Sequence, residues 1–228
     1  VPSQIGTIQE AIDKACYGDT IIVDPGTYPG GLDFKGKAIT LQAKPGVEEC
    51  MIDCDGTGPG AAFYRGERAT SVLSGFTIVN ANGTDGGAIF CMNSAPTIVN
   101  CVLRNNTAQR GAGIFAQDAN PAVTNCTIAA NTASVAGGGL FSSGSPSPIV
   151  TNCILWGNTT HQVIFEGDAP LITYSNIQGG YSGIGNINSN PRFVNSTAND
   201  YHLTNAQTLS MNWTTYQWYL APVSPCVD

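Results

Sequence analysis

The chain has 228 residues, of which 27 are Gly and only 11% are charged, so it lacks the Leu, Ala, Glu and Lys mixture of a helical protein. Nine Lys and Arg against 16 Asp and Glu give a net charge of −7, which argues against nucleic acid and anionic membrane surfaces, because both attract basic patches. There is no apolar run of about 18 residues and no leader-like opening, so no membrane insertion is expected and the sequence reads as a mature or excised piece of a secreted protein.

One domain, 1–228, is the economical reading, with an N-terminal cap and first strand at 1–25, solenoid coils at 26–200 and a C-terminal cap at 201–228. Residues 6–17 place Ile8, Ala11, Ile12 and Ala15 on one helical face, which predicts a short amphipathic lid over an open solenoid end. The joint ECMIDCDG at 49–56 carries Asp53 and Asp55. That pair is a candidate for calcium, the one cofactor the composition suggests, and an Asx turn is the simpler expectation.

From residue 71 onward the chain repeats. PTIVNCVLRNNTA at 96–108, PAVTNCTIAANTA at 121–133 and PIVTNCILWGNTT at 148–160 are spaced by 25 and 27 residues. GGAIF, GAGIF, GGGLF and the degenerate HQVIF interleave with them, at 86–90, 111–115, 137–141 and 161–165. With the flanking SVLSGFTIVNANG and PLITYSNIQGG, about five coils are visible. Short β-rich stretches bounded by Gly, Pro and Asn, with no helical pattern between them, must pair with their own equivalents about 4.8 Å away along an axis. Leu73, Ile98, Val123, Val150 and Ile172 then form one inward column, and Ile78, Leu103, Ile128, Leu155 and Ile177 another. Asn100, Asn125 and Asn152 form a buried amide ladder, Asn106, Asn131 and Asn158 a second Asn column, and Cys101, Cys126 and Cys153 a stack of buried thiols. At the far end Tyr201, Trp213, Tyr216, Trp218 and Tyr219 predict an irregular aromatic cap.

These phrases resemble a known group. IQEAIDKACYGDTIIVDPGTY, ECMIDCDG and the GG-x-[IL]-F and P-x-[IV]-x-NC repeats are similar to the bacterial secreted right-handed β-helix repeat proteins of the pectate-lyase-like superfamily. The repeat also resembles the GGAI and FxxN motifs of polymorphic outer-membrane adhesins. GIGNINSNPRFV, NDYHL and SPCVD look like that group's C-terminal segment, here interrupted by an aromatic stretch. The resemblance implies an all-β, right-handed parallel β-helix and an extracellular or cell-surface location. It implies no particular activity.

A lyase of this shape needs a calcium-neutralised uronate and an Arg or Lys base, yet between residues 69 and 200 the only cations are Arg104, Arg110 and Arg192. No polygalacturonase motif set is present either. The remaining acid pair, Asp118 and Asp168, is placed by the repeat two rungs, or about 10 Å, apart in one column. His161 and Glu166 stand near Asp168 in sequence. Alternation sends Phe90, Phe115, Phe141 and Phe165 outward as an exposed stripe, and a one-residue shift would bury them instead. Trp156 joins them as a candidate binding residue. The leading expectation is a non-catalytic surface module that contacts polysaccharide or another extracellular protein. A polysaccharide lyase or hydrolase and a self-assembling structural subunit are the alternatives. Cys16 is expected to pair with Cys50 or Cys54, with Cys226 also outside the ladder.

Overall fold

The computed structural model describes residues 6–46, 49–203, 209–212 and 217–220. It forms two compact units, Val1–Ile187 and Asn188–Asp228. The first is a parallel β-solenoid of about six turns built from three long sheets and a short fourth.

The first sheet stacks Thr20–Val23, Thr40–Ala43, Val72–Ser74, Thr97–Val99, Ala122–Thr124, Ile149–Thr151 and Leu171–Thr173. The second stacks Gly26–Pro29, Cys50–Asp53, Thr77–Val79, Val102–Arg104, Thr127–Ala129, Ile154–Trp156 and Asn176–Ile177. The third runs from Leu32–Asp33 through Ala61–Phe63, Ile89–Met92, Ile114–Gln117 and Leu140–Gly144 to Val163–Gly167. Every pairing within these sheets is parallel, as single-coil repeats require.

Both apolar columns expected from the repeat are present. Leu73, Ile98, Val123, Val150 and Ile172 are in register and buried, and so are Ile78, Leu103, Ile128, Leu155 and Ile177. The first column extends down to Leu41 and Ile21, and the second to Ile52 and Tyr28. A third inward column, Ala61, Ile89, Ile114, Leu140 and Val163, closes the bore.

Each of three central coils also throws out an arm. Asn82–Asp85, Thr107–Arg110 and Thr132–Ala136 form the fourth sheet, between the second-sheet and third-sheet strands of their coils. The chain returns through the paired glycines of the repeat. A Cβ on Gly87 would lie 2.1 Å from the Ala112 carbonyl oxygen and one on Gly113 would lie 2.4 Å from that of Gly139, so the coils stack too closely there for any side chain.

The N-terminal lid is helix α1, Ile8–Lys14, shorter than the 6–17 stretch but with the expected face inward: Ile8, Ala11 and Ile12 join the core. Thr7 caps it by accepting the Glu10 N–H at 3.1 Å, and Glu10 reaches back to the Gly6 N–H. At its other end Lys37 Nζ donates to the carbonyls of Ile12, Asp13 and Ala15, each at 2.8 Å. This single ammonium satisfies acceptors that a helix C-terminus leaves unpaired.

The second unit holds Phe193–Asn195 antiparallel to Asp200–Leu203 across a 3-10 turn, and a second antiparallel pair, Leu209–Asn212 with Gln217–Leu220. Phe193 and Tyr201 meet edge to face at 5.0 Å. Trp213, Tyr216 and Cys226 of the expected cap lie outside the described residues.

Candidate functional site

The two asparagine columns are both present, but their burial differs from the expectation. Asn106 and Asn131 are fully buried and Asn158 nearly so; the Oδ1 atoms of Asn131 and Asn158 each accept the backbone and side-chain N–H of the Asn one coil before, all at 3.0 Å, and that of Asn106 accepts the Ala81 N–H, also at 3.0 Å. Their Nδ2 atoms donate to Ile78, Leu103 and Ile128 carbonyls. This is the internal amide ladder.

Asn100, Asn125 and Asn152 are instead exposed. Each turns the chain from the first sheet into the second in a left-handed conformation, with φ of 55°, 53° and 51°. A residue in that conformation turns its side chain away from the bore, and Asn is the side chain that tolerates it best after Gly. The side chains still form a ladder, Asn125 Nδ2 to Asn100 Oδ1 at 3.3 Å and Asn152 Nδ2 to Asn125 Oδ1 at 2.8 Å. Gly75 begins this column and Tyr174 ends it, also left-handed (φ 50°) and 61% exposed. Alongside runs the outward row Thr124, Thr151 and Thr173. The result is an uncharged stripe of amides and hydroxyls with an aromatic ring at one end. Tyr174 was legible in PLITYSN, where it occupies the Asn position of the repeat.

The neighbouring thiols behave as expected. Cys101, Cys126 and Cys153 point inward, buried, and the sulfurs of Cys126 and Cys153 accept the N–H of the equivalent residue one coil back at 3.4 and 3.3 Å. Among the described residues every cysteine is a free thiol, so the bridge expected from Cys16 to Cys50 or Cys54 is not formed. Cys16 is exposed beyond the lid helix, whereas Cys50 and Cys54 face the bore.

The phenylalanine stripe needs two corrections. Phe90, Phe115 and Phe141 do point away from the bore and stack in parallel, with centroids 5.5 and 5.4 Å apart. They are nevertheless covered: Phe115 and Phe141 are buried and Phe90 half-buried. The arms fold over them. Arg110 lays its guanidinium 5.4 Å from the Phe115 ring centre and 5.3 Å from that of Phe141, while holding Asp85 through two bonds of 2.8 Å. Phe165 is outside this stack, because Phe141 pairs with Ile164 and Phe165 with Ser142. It therefore sits in the inward column of Cys91, Ala116 and Ser142, and as the last of that column it is 41% exposed. Trp156 points outward above Ala129 and is half-buried.

The same one-residue slip separates the acids. Asp118 continues to Gly144 and then to Gly167, so Asp168 lies one position past the column it was assigned to. Both carboxylates are exposed, and the Asp118 one accepts the Ser145 N–H at 3.4 Å. Gly144 beside it takes a left-handed φ of 77°, a conformation that favours glycine. His161 and Glu166 are exposed on the same coil.

Asp53 forms the expected Asx turn, its Oδ1 accepting the Asp55 N–H and Asn80 Nδ2, both at 3.0 Å. Asp55 lines an open depression of about 420 Å³ with Asn80, Asn82 and Asn105. Two carboxylates, one already carrying two donors, fall short of the about six to eight oxygens calcium takes. No group of three or more His, Cys, Asp or Glu is gathered among the described residues.

A comparison with family models matches residues 70–216 to a family described as a right handed beta helix region. No curated protein and no solved structure matches the chain.

Proposed function

Since the chain belongs to the right-handed β-helix family, a rod that presents side chains at a fixed rung spacing, we propose that it is a non-catalytic extracellular surface module that contacts a neutral polysaccharide. The observation that carries this reading is the exposed column Asn100, Asn125, Asn152 and Tyr174 with its row of threonine hydroxyls.

Three features of the column support it. The amides are spaced by one rung, about 4.8 Å, so a polymer of repeating units meets the same donors and acceptors again and again. Asn100 spends one acceptor site, Asn152 one donor and Asn125 one of each within the ladder, and the rest face solvent or ligand. The stripe has no charge, which suits hydroxyl-rich chains, and Tyr174 supplies the flat apolar face on which a sugar ring packs. The buried phenylalanines have no part in this reading.

Affinity electrophoresis in gels containing neutral polysaccharides tests it, together with an assay for newly formed reducing or unsaturated ends. Binding without turnover is expected. Asn125→Gly and Tyr174→Asn, both compatible with the left-handed turn, should each weaken binding about tenfold with unchanged melting. Turnover, or binding that both variants leave intact, would overturn the proposal.

A further inference from the structure

The internal amide ladder does not stop at Asn158. Asn158 Nδ2 donates to Gln162 Oε1 at 2.6 Å, and Gln162 Nε2 donates to Gln178 Oε1 at 3.3 Å. Five side-chain amides, Asn106, Asn131, Asn158, Gln162 and Gln178, therefore run head to tail from the Ala81 N–H to the edge of the solenoid.

The direction of this relay is fixed by backbone partners at every step, which removes the usual ambiguity of amide orientation. The N–H groups of Ala81, Asn106 and Asn131 demand an oxygen from Asn106, Asn131 and Asn158. The carbonyl of Asn158 demands the Gln162 nitrogen. The Gly157 N–H, 2.7 Å from Gln178 Oε1, holds that oxygen inward. Gln178 Nε2 is consequently left as the terminal donor, and among the described residues no acceptor meets it.

Aligned amides polarise one another, so the donor at the end of such a chain is stronger than a lone glutamine. It opens onto a depression of about 320 Å³ walled by Thr160, His161 and Tyr181. The depression exists because this coil lacks an arm: only Thr159–Gln162 separate Asn158 from Val163, where 132–139 separate Asn131 from Leu140. A volume near the lower end of the ligand-site range, roughly 300 Å³, suits one sugar ring better than a run of them.

We infer that this depression binds the acetamido group of an N-acetylated sugar, whose carbonyl accepts from Gln178 Nε2 and so adds a sixth amide to the relay. A carboxylate would also accept there, but the chain's charge of −7 opposes anions. An amide also brings an N–H, and the lone pairs of Thr160 Oγ1, whose own proton goes to the Ala133 carbonyl, are free to accept it. The choice of a sugar rests on the polysaccharide-contacting reading above; the acetamide preference does not.

Titration of the whole chain with free N-acetylglucosamine, glucose, acetamide and acetate, followed by NMR or calorimetry, is the test. N-acetylglucosamine should bind and acetamide should compete with it, while glucose and acetate should not. Gln178→Glu keeps the acceptor for Gly157 and loses the terminal donor, so it should weaken N-acetylglucosamine at least about tenfold. Thr127→Ala, on the outer face of the second sheet, should leave it unchanged. Absence of both N-acetylglucosamine and acetamide binding, or full binding in Gln178→Glu, would overturn the inference. Binding of acetamide with no affinity for any polysaccharide would uphold the relay site and count against the surface-module reading alone.

Discussion

Gln9 pairs with both backbone groups of Asp33: its Oε1 accepts the Asp33 N–H at 2.9 Å and its Nε2 donates to the Asp33 carbonyl at 3.1 Å. Asp33 belongs to Leu32–Asp33, the outermost strand of the third sheet, so one side-chain amide of the lid helix imitates the strand that would otherwise lie beneath it. An unpaired edge invites pairing with another chain.

Gln9→Ala should therefore loosen this end, costing about 0.5–1.5 kcal/mol for each of the two bonds. Faster hydrogen exchange at Leu32–Phe34 and concentration-dependent association in sedimentation are the expected readouts. Unchanged exchange at those residues would show that the helix's apolar face suffices.

In the second sheet, Ile128 is fully buried between Leu103 and Leu155, while Thr127 is half-buried and points outward. Ile128→Ala should cost about 2–5 kcal/mol. Thr127→Ala should cost no more than about 0.5 kcal/mol. Urea melts of the two variants decide, and the reverse order would mean the strand faces the other way.

The two Asn columns should respond very differently. Asn131→Ala strips the partners of Asn106 N–H and the Leu103 carbonyl in the interior, at about 1–3 kcal/mol per group. Asn125→Gly keeps the left-handed turn and removes only exposed amide contacts. Its melting midpoint should stay close to that of the parent chain.

Phe115→Ala should be among the most damaging single changes, at about 3–5 kcal/mol, because the ring is buried between Phe90 and Phe141 beneath Arg110. Arg110→Lys keeps the charge but loses the two-pronged grip on Asp85. It should raise proteolysis or exchange in the arms while leaving the bore columns protected.

Burial pushes the Cys50 thiol up to about 11 and that of Cys54 to about 12. An unfolded thiol ionises near the ordinary cysteine range, about 8.5, so the folded chain holds protons that the unfolded one has lost. Stability from these groups is complete below that range and falls as pH rises toward 11 to 12. The urea midpoint should drop over that window, and Cys50→Ala with Cys54→Ala should make the drop shallower without removing it, because burial also raises the Cys91 and Cys126 thiols. At pH 8, exposed Cys16 should alkylate rapidly and Cys126 should not.

The bore was legible because apolar residues recur at matched positions in neighbouring coils, and a residue such as Val123 has only one inward place to go. Turn conformation was harder to read. Asn125 and Asn131 are the same residue type in the same repeat, and only the left-handed φ of Asn125 sends its side chain out. The fate of Phe115 depended on the arm at 107–110, whose strands pair with each other outside the bore and carry little apolar pattern. Phe165 and Asp168 were misplaced together, because HQVIF lines up by its Phe with GGGLF, whereas the Gln162 and His161 carbonyls set the register one residue earlier. The end of the amide relay could not be read from sequence, since Gln162 and Gln178 stand in the degenerate phrases HQVIF and PLITYSNIQGG at positions where the preceding coils carry Gly139 and Trp156 rather than an amide.

The arms also make the rod extensible. Coils of 25, 27 and 22 residues stack in register because surplus residues leave the bore at the glycine corners rather than shifting a column. Duplicating residues 97–121 in tandem should therefore yield a viable longer protein, lengthened by one rung of about 4.8 Å, whereas deleting a single residue between Ile98 and Leu103 should not. Natural relatives of different reach could arise by copying whole coils, with the arm absorbing whatever length the copy brings.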